Sequence, residues 1–201
     1  MNGSNRLAVA GGLAAVVGGL LWAVKAAAIM ITRVQPPIVY EIAPLFFPIA
    51  VVGLYALLNG RRSWLALAGL ASACAAELAA VASVLGLFLG PAEWTPTGSE
   101  GSRPVTVLTP FIALAAYGAL LGLLLVGIVI RRAASLPGKW AALPMFLAAT
   151  AIPLIFLGVV LQAINERLFE LPTLIIGLEW IALGAAMVRH SRFAARTPAS
   201  A

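Results

Sequence analysis

Long apolar runs separated by short polar connections make up most of this chain. Six runs can be distinguished: residues 7–31, 39–59, 64–90, 107–130, 140–163 and 172–188. A helix needs about 20 apolar residues to cross a hydrocarbon core about 30 Å thick, and each run is near that length. The pattern predicts an all-α protein, an integral membrane bundle of six transmembrane helices.

The connections between the runs are too short to hold a separate soluble domain. The longest is 91–104, with the sequence PAEWTPTGSEGSRP. Its Gly, Ser, Thr and Pro content is typical of a flexible loop. We expect residues 1–193 to form a single transmembrane domain and residues 194–201 to form a disordered tail.

Basic residues are concentrated at one side of the predicted bundle. If the helices alternate in direction, nine residues fall on that side: Arg6, Arg61, Arg62, Arg131, Arg132, Lys139, Arg189, Arg192 and Arg196. Cytoplasmic ends of membrane helices carry an excess of Lys and Arg. We therefore predict a multi-pass protein of the cytoplasmic-type cell membrane, with both termini cytoplasmic and the 91–104 loop external.

The composition excludes several classes of protein. Hydrophobic residues make up 62% of the 201 positions and charged residues 10%, against roughly 45–50% and about 25% in soluble domains. A soluble enzyme and a nucleic-acid-binding protein are therefore excluded. The net charge of +6 follows from the positive-inside pattern, so the expected partner is the lipid bilayer.

Residue types that usually build metal sites and catalytic triads are scarce. The chain has one His, one Cys and no Asp. These residues cannot supply a zinc cluster or a Ser-His-acid triad. We expect no cofactor and no bound metal.

Ionisable residues within the apolar runs are the most informative positions. Lys25 lies in the first run, Glu77 in the third and Glu179 in the sixth, at overlapping depths. A charge at the bilayer centre costs about 2.5–3.5 kcal/mol on insertion scales, so such residues are expected to have a partner or a task. Lys25 could pair with one of these glutamates, or with Glu41 near the outer end of the second run.

Further polar and aromatic residues extend this candidate site into the outer half of the bundle. They are Gln162, Asn165 and Glu166 at the end of the fifth run, with Trp22 beside Lys25 and Trp180 beside Glu179. Two interpretations remain open. The residues line a polar ligand pocket, or they form hydrogen bonds and ion pairs that only hold the helices together.

Small residues and prolines predict how the helices pack and bend. Small residues four apart mark close helix contacts, as in Gly11, Ala15 and Gly19 of the first run and in Ala71, Ala75, Ala79 and Ser83 of the third. The Ala-rich third helix is the best candidate for the bundle centre. Prolines 44 and 48, and 144 and 153, predict bends in the second and fifth helices.

A binding or transport-associated protein is the first functional hypothesis, with a small solute or lipid as ligand. In size, helix number and inward termini, the chain resembles the substrate-binding membrane subunits of energy-coupling-factor vitamin transporters. Those subunits also use small-residue stripes on their first helix, which Ala10-Ala14 and Ala23-Ala27 match in spacing. The resemblance is one of architecture. The hypothesis itself has the ligand enter from outside beneath the 91–104 loop, because the polar residues are biased toward the outer half.

Two other functional classes remain open. A buried carboxyl group can act as a general acid, and small integral-membrane terpene cyclases use acidic residues in this way on isoprenoid substrates. Glu77 and Glu179 would be the proton donors, although the absence of Asp departs from that family. An accessory subunit that binds another membrane protein is the third possibility.

Overall fold

A computed structural model describes residues 3–33, 36, 42–58, 60, 63–91, 94 and 106–194. These residues are mostly helical, and no strand occurs among them. The α-helices are, in order, α1 Gly3–Thr32, α2 Phe46–Ala56, α3 Trp64–Leu89, α4 Thr109–Ala133, α5 Leu143–Ile164 and α6 Leu171–Ala194. Short 3-10 turns precede α2, α5 and α6, at Ala43–Leu45, Gly138–Ala142 and Glu166–Glu170.

Five of the helical segments in this described part are long and apolar enough to cross a membrane. The segment predicted at 39–59 is different, because its described apolar helix spans only Ala43–Ala56 and begins as a 3-10 turn. At 1.5 Å per residue this length covers about 21 Å, less than the hydrocarbon thickness of about 30 Å. The described residues thus form five helices of membrane-spanning length and a shorter one, where the sequence predicts six of full length.

Three of the four prolines predicted to bend helices lie where a helical segment begins. Pro44 is in the 3-10 turn before α2, Pro48 is in the first turn of α2, and Pro144 is in the first turn of α5. The first four N–H groups of a helix have no intrahelical acceptor, so proline removes no hydrogen bond there. Of these four prolines, Pro153 alone lies beyond the first turn of its helix, and the expectation that Pro144 bends α5 is wrong.

The last helix is longer than predicted. The charged residues after position 188 predict that the helix ends there, but α6 continues through Arg189 and Arg192 to Ala194. Arginine is a good helix former, and a positive charge in the last turn is favoured by the helix dipole. Of the tail predicted at 194–201, Ala194 is the last residue of α6 and the rest lies outside the described residues, as does most of the 91–104 loop.

Helix α2 lies at the centre of the bundle, in contact with α1, α3 and α4. Its residues Val51 and Leu54 are fully buried. The prediction that the Ala-rich α3 is central is wrong: Ala71 and Ala75 are exposed, and Leu78 is 73% exposed. Alanine occurs on every side of α3, so the spacing of small residues could not identify its buried face.

Glycines set the closest helix contacts. A Cβ on Gly11 of α1 would lie 2.5 Å from the Cα of Gly53 in α2. Between α3 and α4, a Cβ on Gly122 would lie 2.8 Å from the carbonyl oxygen of Gly69, and the Ser72 hydroxyl donates a 2.8 Å hydrogen bond to the Gly118 carbonyl. Close packing of this kind replaces the hydrophobic effect as the force between helices in lipid.

Candidate functional site

A buried ion pair joins helix α1 to the 3-10 turn that precedes α6. The ammonium nitrogen of Lys25 lies 3.0 Å and 3.1 Å from the two carboxylate oxygens of Glu170. Each residue is only 5% exposed. One ammonium group therefore contacts both oxygens of a carboxylate 145 positions away.

The depth of Glu170 comes from a turn that folds back into the bundle. The 3-10 turn Glu166–Glu170 packs against α5 and α1 rather than continuing outward. A Cβ on Gly158 would lie 2.8 Å from the carbonyl oxygen of Phe169, although Gly158 is six residues before the end of α5. At 1.5 Å per residue, this places Phe169, the residue before Glu170, about 9 Å below that end.

Lys25 lies at a matching depth on α1. It is seven residues before Thr32, the last residue of the helix, which corresponds to about 10 Å. The turn thus lowers a carboxylate to the level of the lysine, where water cannot solvate either charge. A charge at this depth is expensive unless it is neutralised, and the pair supplies that neutralisation.

Three aromatic rings pack together near the ion pair. Phe47 of α2 contacts Trp22 edge-to-face, with ring centroids 4.9 Å apart. On its other side Phe47 stacks on Trp180 of α6, with centroids 4.6 Å apart and an angle of 27° between the rings. Trp180 is buried and Trp22 is partly buried, so the rings form an apolar cluster that links α1, α2 and α6.

Trp22 connects this aromatic cluster to the ion pair. It lies three residues before Lys25, and residues three apart share one face of a helix. Its indole nitrogen is buried and has no hydrogen-bond partner among the described residues. A buried N–H without a partner costs about 1–3 kcal/mol, so this donor is a candidate contact for a bound molecule.

The two central glutamates lie on different helices. Glu77 is on α3, which packs mainly on α4, and Glu179 is on α6, which packs mainly on α1. Each has one buried carboxyl oxygen, Oε2, with no hydrogen-bond partner in the described part of the chain. The interpretation that they face one pocket with Lys25 stays a prediction.

The remaining predicted site residues fall into two groups. Gln162, Asn165 and Glu166 are exposed at the end of α5. Asn165 caps the 3-10 turn, because its side-chain oxygen accepts a 3.0 Å hydrogen bond from the backbone N–H of Arg167. Glu41 lies outside the described residues.

Sequence reasoning missed Glu170 and Phe47. Glu170 lies in the short connection between the predicted runs 140–163 and 172–188, so nothing in its local sequence indicates burial. The signal available was its position directly before the apolar run of α6. Phe47 is one of many apolar residues in its segment, and only the packing of α1, α2 and α6 singles it out.

These residues offer three kinds of contact to a bound molecule. Lys25 and Glu170 offer charge, Trp22 offers a hydrogen-bond donor, and the aromatic cluster offers apolar surface. Among the described residues no group of three or more His, Cys, Asp or Glu is placed to hold a metal ion.

The five apolar spanning helices identify the class of protein as a helical membrane protein. The chain matches no protein-family model, no curated protein and no solved structure.

Proposed function

We propose that this protein binds a small solute or lipid ligand inside the membrane, as a binding or transport-associated protein. The observation that carries the proposal is the buried Lys25–Glu170 pair, one helical turn from the unpartnered indole N–H of Trp22. Ammonium and indole N–H groups both donate hydrogen bonds. The ligand class is therefore a molecule with an acceptor group, such as a carboxylate, carbonyl or phosphate, attached to an apolar body.

Energetics support a role beyond stability for the ion pair. Replacing a buried pair with apolar residues is often neutral or stabilising, because desolvation offsets the attraction between the charges. Lys25 and Glu170 are both buried, so their mutual attraction is weak evidence for a purely stabilising role. The aromatic cluster beside them offers the apolar part of a ligand a surface of indole and phenyl rings.

A purely structural role makes a different prediction. In that case the pair only holds the Glu166–Glu170 turn against α1, and removing both charges together would leave every other property intact. A ligand-binding role requires that the same double change removes bound ligand from a protein that is still folded.

Native mass spectrometry of the gently purified protein tests the proposal. Wild type is expected to retain a small molecule, and the K25M/E170Q variant is expected to lose it while keeping a melting temperature close to that of wild type and the same elution volume. The matched control is Glu166→Gln, which changes an exposed glutamate of the same turn. Equal ligand content in all three proteins, or none in wild type, would contradict the proposal.

A second candidate function is an enzyme that acts on a lipid or isoprenoid. It is supported by the buried carboxyl oxygens of Glu77 and Glu179, which lack partners among the described residues and could donate a proton to a substrate. The test is product formation from added prenyl or lipid substrates, compared between wild type, E77Q, E179Q and the E166Q control. A co-purifying membrane protein in the same preparations would instead support an accessory subunit.

A further inference from the structure

A groove lies between α1 and α6 at the end of the bundle opposite to the ion pair. Its volume is about 430 Å³. The lining residues are Leu13 and Val16 of α1, with Ala185, Val188, Arg189, Arg192 and Phe193 of α6. Five of these seven are apolar and two are arginines, so the groove has an apolar floor and a cationic end.

The two arginines lie at the end of the groove where α6 finishes. Both are exposed, and their spacing of three residues places them on one side of the helix. The guanidinium carbon of Arg189 lies 5.7 Å from the centroid of the Phe193 ring. This cation–π contact stabilises the Arg189 guanidinium beside the groove.

Positive charge at this end is not neutralised by nearby acidic residues in the sequence. No Asp or Glu occurs in residues 1–40 or 180–201. Arg6 lies seven residues, about two turns, before Leu13, and therefore on the same side of α1. A third cation thus lies on the side of α1 that lines the groove.

The form of the groove favours a lipid over a soluble anion. Its apolar floor runs along two membrane helices, and Leu13 is 49% exposed, so this side of the bundle is open to lipid chains. A soluble anion would use only the arginine end. Basic pockets between membrane helices at the cytoplasmic side bind anionic lipid headgroups, and positive-inside patterning predicts that this end is cytoplasmic.

We infer that the groove between α1 and α6 binds an anionic phospholipid. Arg189 and Arg192 contact the headgroup phosphate, and an acyl chain lies along Leu13, Val16, Ala185 and Val188. The inference is independent of the function proposed for Lys25 and Glu170, because the two sites share no residue.

The experiment compares the lipid retained by wild type and by groove variants. The proteins are placed in nanodiscs of phosphatidylcholine that contain phosphatidylglycerol as the anionic probe. Native mass spectrometry is expected to show phosphatidylglycerol bound to wild type in preference to phosphatidylcholine. In R189Q/R192Q the affinity for phosphatidylglycerol is expected to fall roughly 30-fold, because each arginine near an anionic surface contributes about 1 kcal/mol. Affinity in wild type is also expected to decrease as salt is added.

The control is R131Q/R132Q, which removes two exposed arginines from the last turn of α4. This variant has the same net charge as R189Q/R192Q, and it is expected to retain phosphatidylglycerol like wild type. Equal loss in both variants would show general surface attraction and overturn the proposed site. Loss in neither would also overturn it.

A second variant tests the apolar floor. Ala185→Trp is expected to fill the groove and displace the lipid while both arginines remain. Inorganic phosphate alone is expected not to compete at equal concentration, because it lacks an acyl chain. Displacement by inorganic phosphate, or full retention of lipid in A185W, would contradict the inference.

Discussion

Gly12 and Gly184 meet where α1 crosses α6, and neither position has room for a side chain. A Cβ on Gly12 would lie 2.9 Å from the Gly184 carbonyl oxygen and 2.8 Å from a methyl carbon of Val188. The contact recurs seven residues along each antiparallel helix, where a Cβ on Gly19 would lie 2.5 Å from the Gly177 carbonyl oxygen. Two turns of each helix are thus held in backbone contact.

Substitution of Gly12 by alanine is expected to destabilise the protein. The added methyl group forces α1 and α6 apart, and overpacking of this kind costs about 1–3 kcal/mol. The control is Gly3→Ala on the same helix, where nothing lies within 4 Å of the new Cβ. Thermal unfolding in nanodiscs should show a lower melting temperature for G12A than for G3A. Equal melting temperatures would show that the helices can separate without loss.

Removal of one partner of the ion pair is expected to cost more than removal of both. Lys25→Met or Glu170→Gln alone leaves the other group buried without its partner, at a cost of about 3–5 kcal/mol. The double variant is expected to recover most of that loss. A double-mutant cycle measured by thermal unfolding gives the coupling free energy between Lys25 and Glu170. Arg167→Gln is the control, because it removes an exposed charge from the same turn. Additive losses would mean that Lys25 and Glu170 do not interact.

Phe47→Ala is expected to destabilise the bundle by about 2 kcal/mol or more, because a cavity opens between Trp22 and Trp180. Phe156→Ala is the matched control, since Phe156 lies on α5 with 67% of its surface exposed. When the exposed Phe156 ring is removed, lipid fills the space that it occupied, and no internal cavity is left. A comparison of the two melting temperatures tests whether the aromatic cluster is part of the core. If F156A lost as much stability as F47A, the cluster would have no special role.

Cysteine labelling tests the predicted orientation. In a background of Cys74→Ala, we expect Ser99→Cys to react with a membrane-impermeant maleimide from outside the cell. Ser135→Cys should react only after the membrane is opened. Ser99 is in the predicted 91–104 loop, outside the described residues, and Ser135 follows α4. The reverse pattern would place the termini outside and the arginine groove in the external leaflet.

Hydropathy predicted much of the fold because it is a local property. The run at 64–90 corresponds closely to α3 at Trp64–Leu89, since a polar connection precedes the run and Ser63 caps the helix through a 3.2 Å hydrogen bond from Ala66. The end of α6 was predicted too early, because charge marks where the membrane ends but does not end a helix. The central segment at 39–59 was predicted as one long helix, because prolines 44 and 48 can bend a helix or begin one.

The candidate site was only half predictable. Lys25 stands out as a charge within an apolar run, and Trp22 follows from its position one turn away. The identity of the partner could not be derived, because the depth of Glu170 depends on how the Glu166–Glu170 turn folds against Gly158. Such a contact is set by backbone shape, which local composition does not encode.

Apolar runs and their bounding charges were sufficient to establish a helical membrane protein and to mark Lys25 as a buried cation, because transfer into lipid depends on the composition of each segment alone. Packing decided the rest. Which helix is central, which face of α3 is buried and which carboxylate meets Lys25 all depend on helix rotation and depth. Small residues on several faces permit many arrangements, and only contacts such as Gly12 with Gly184, summed over the whole bundle, select one.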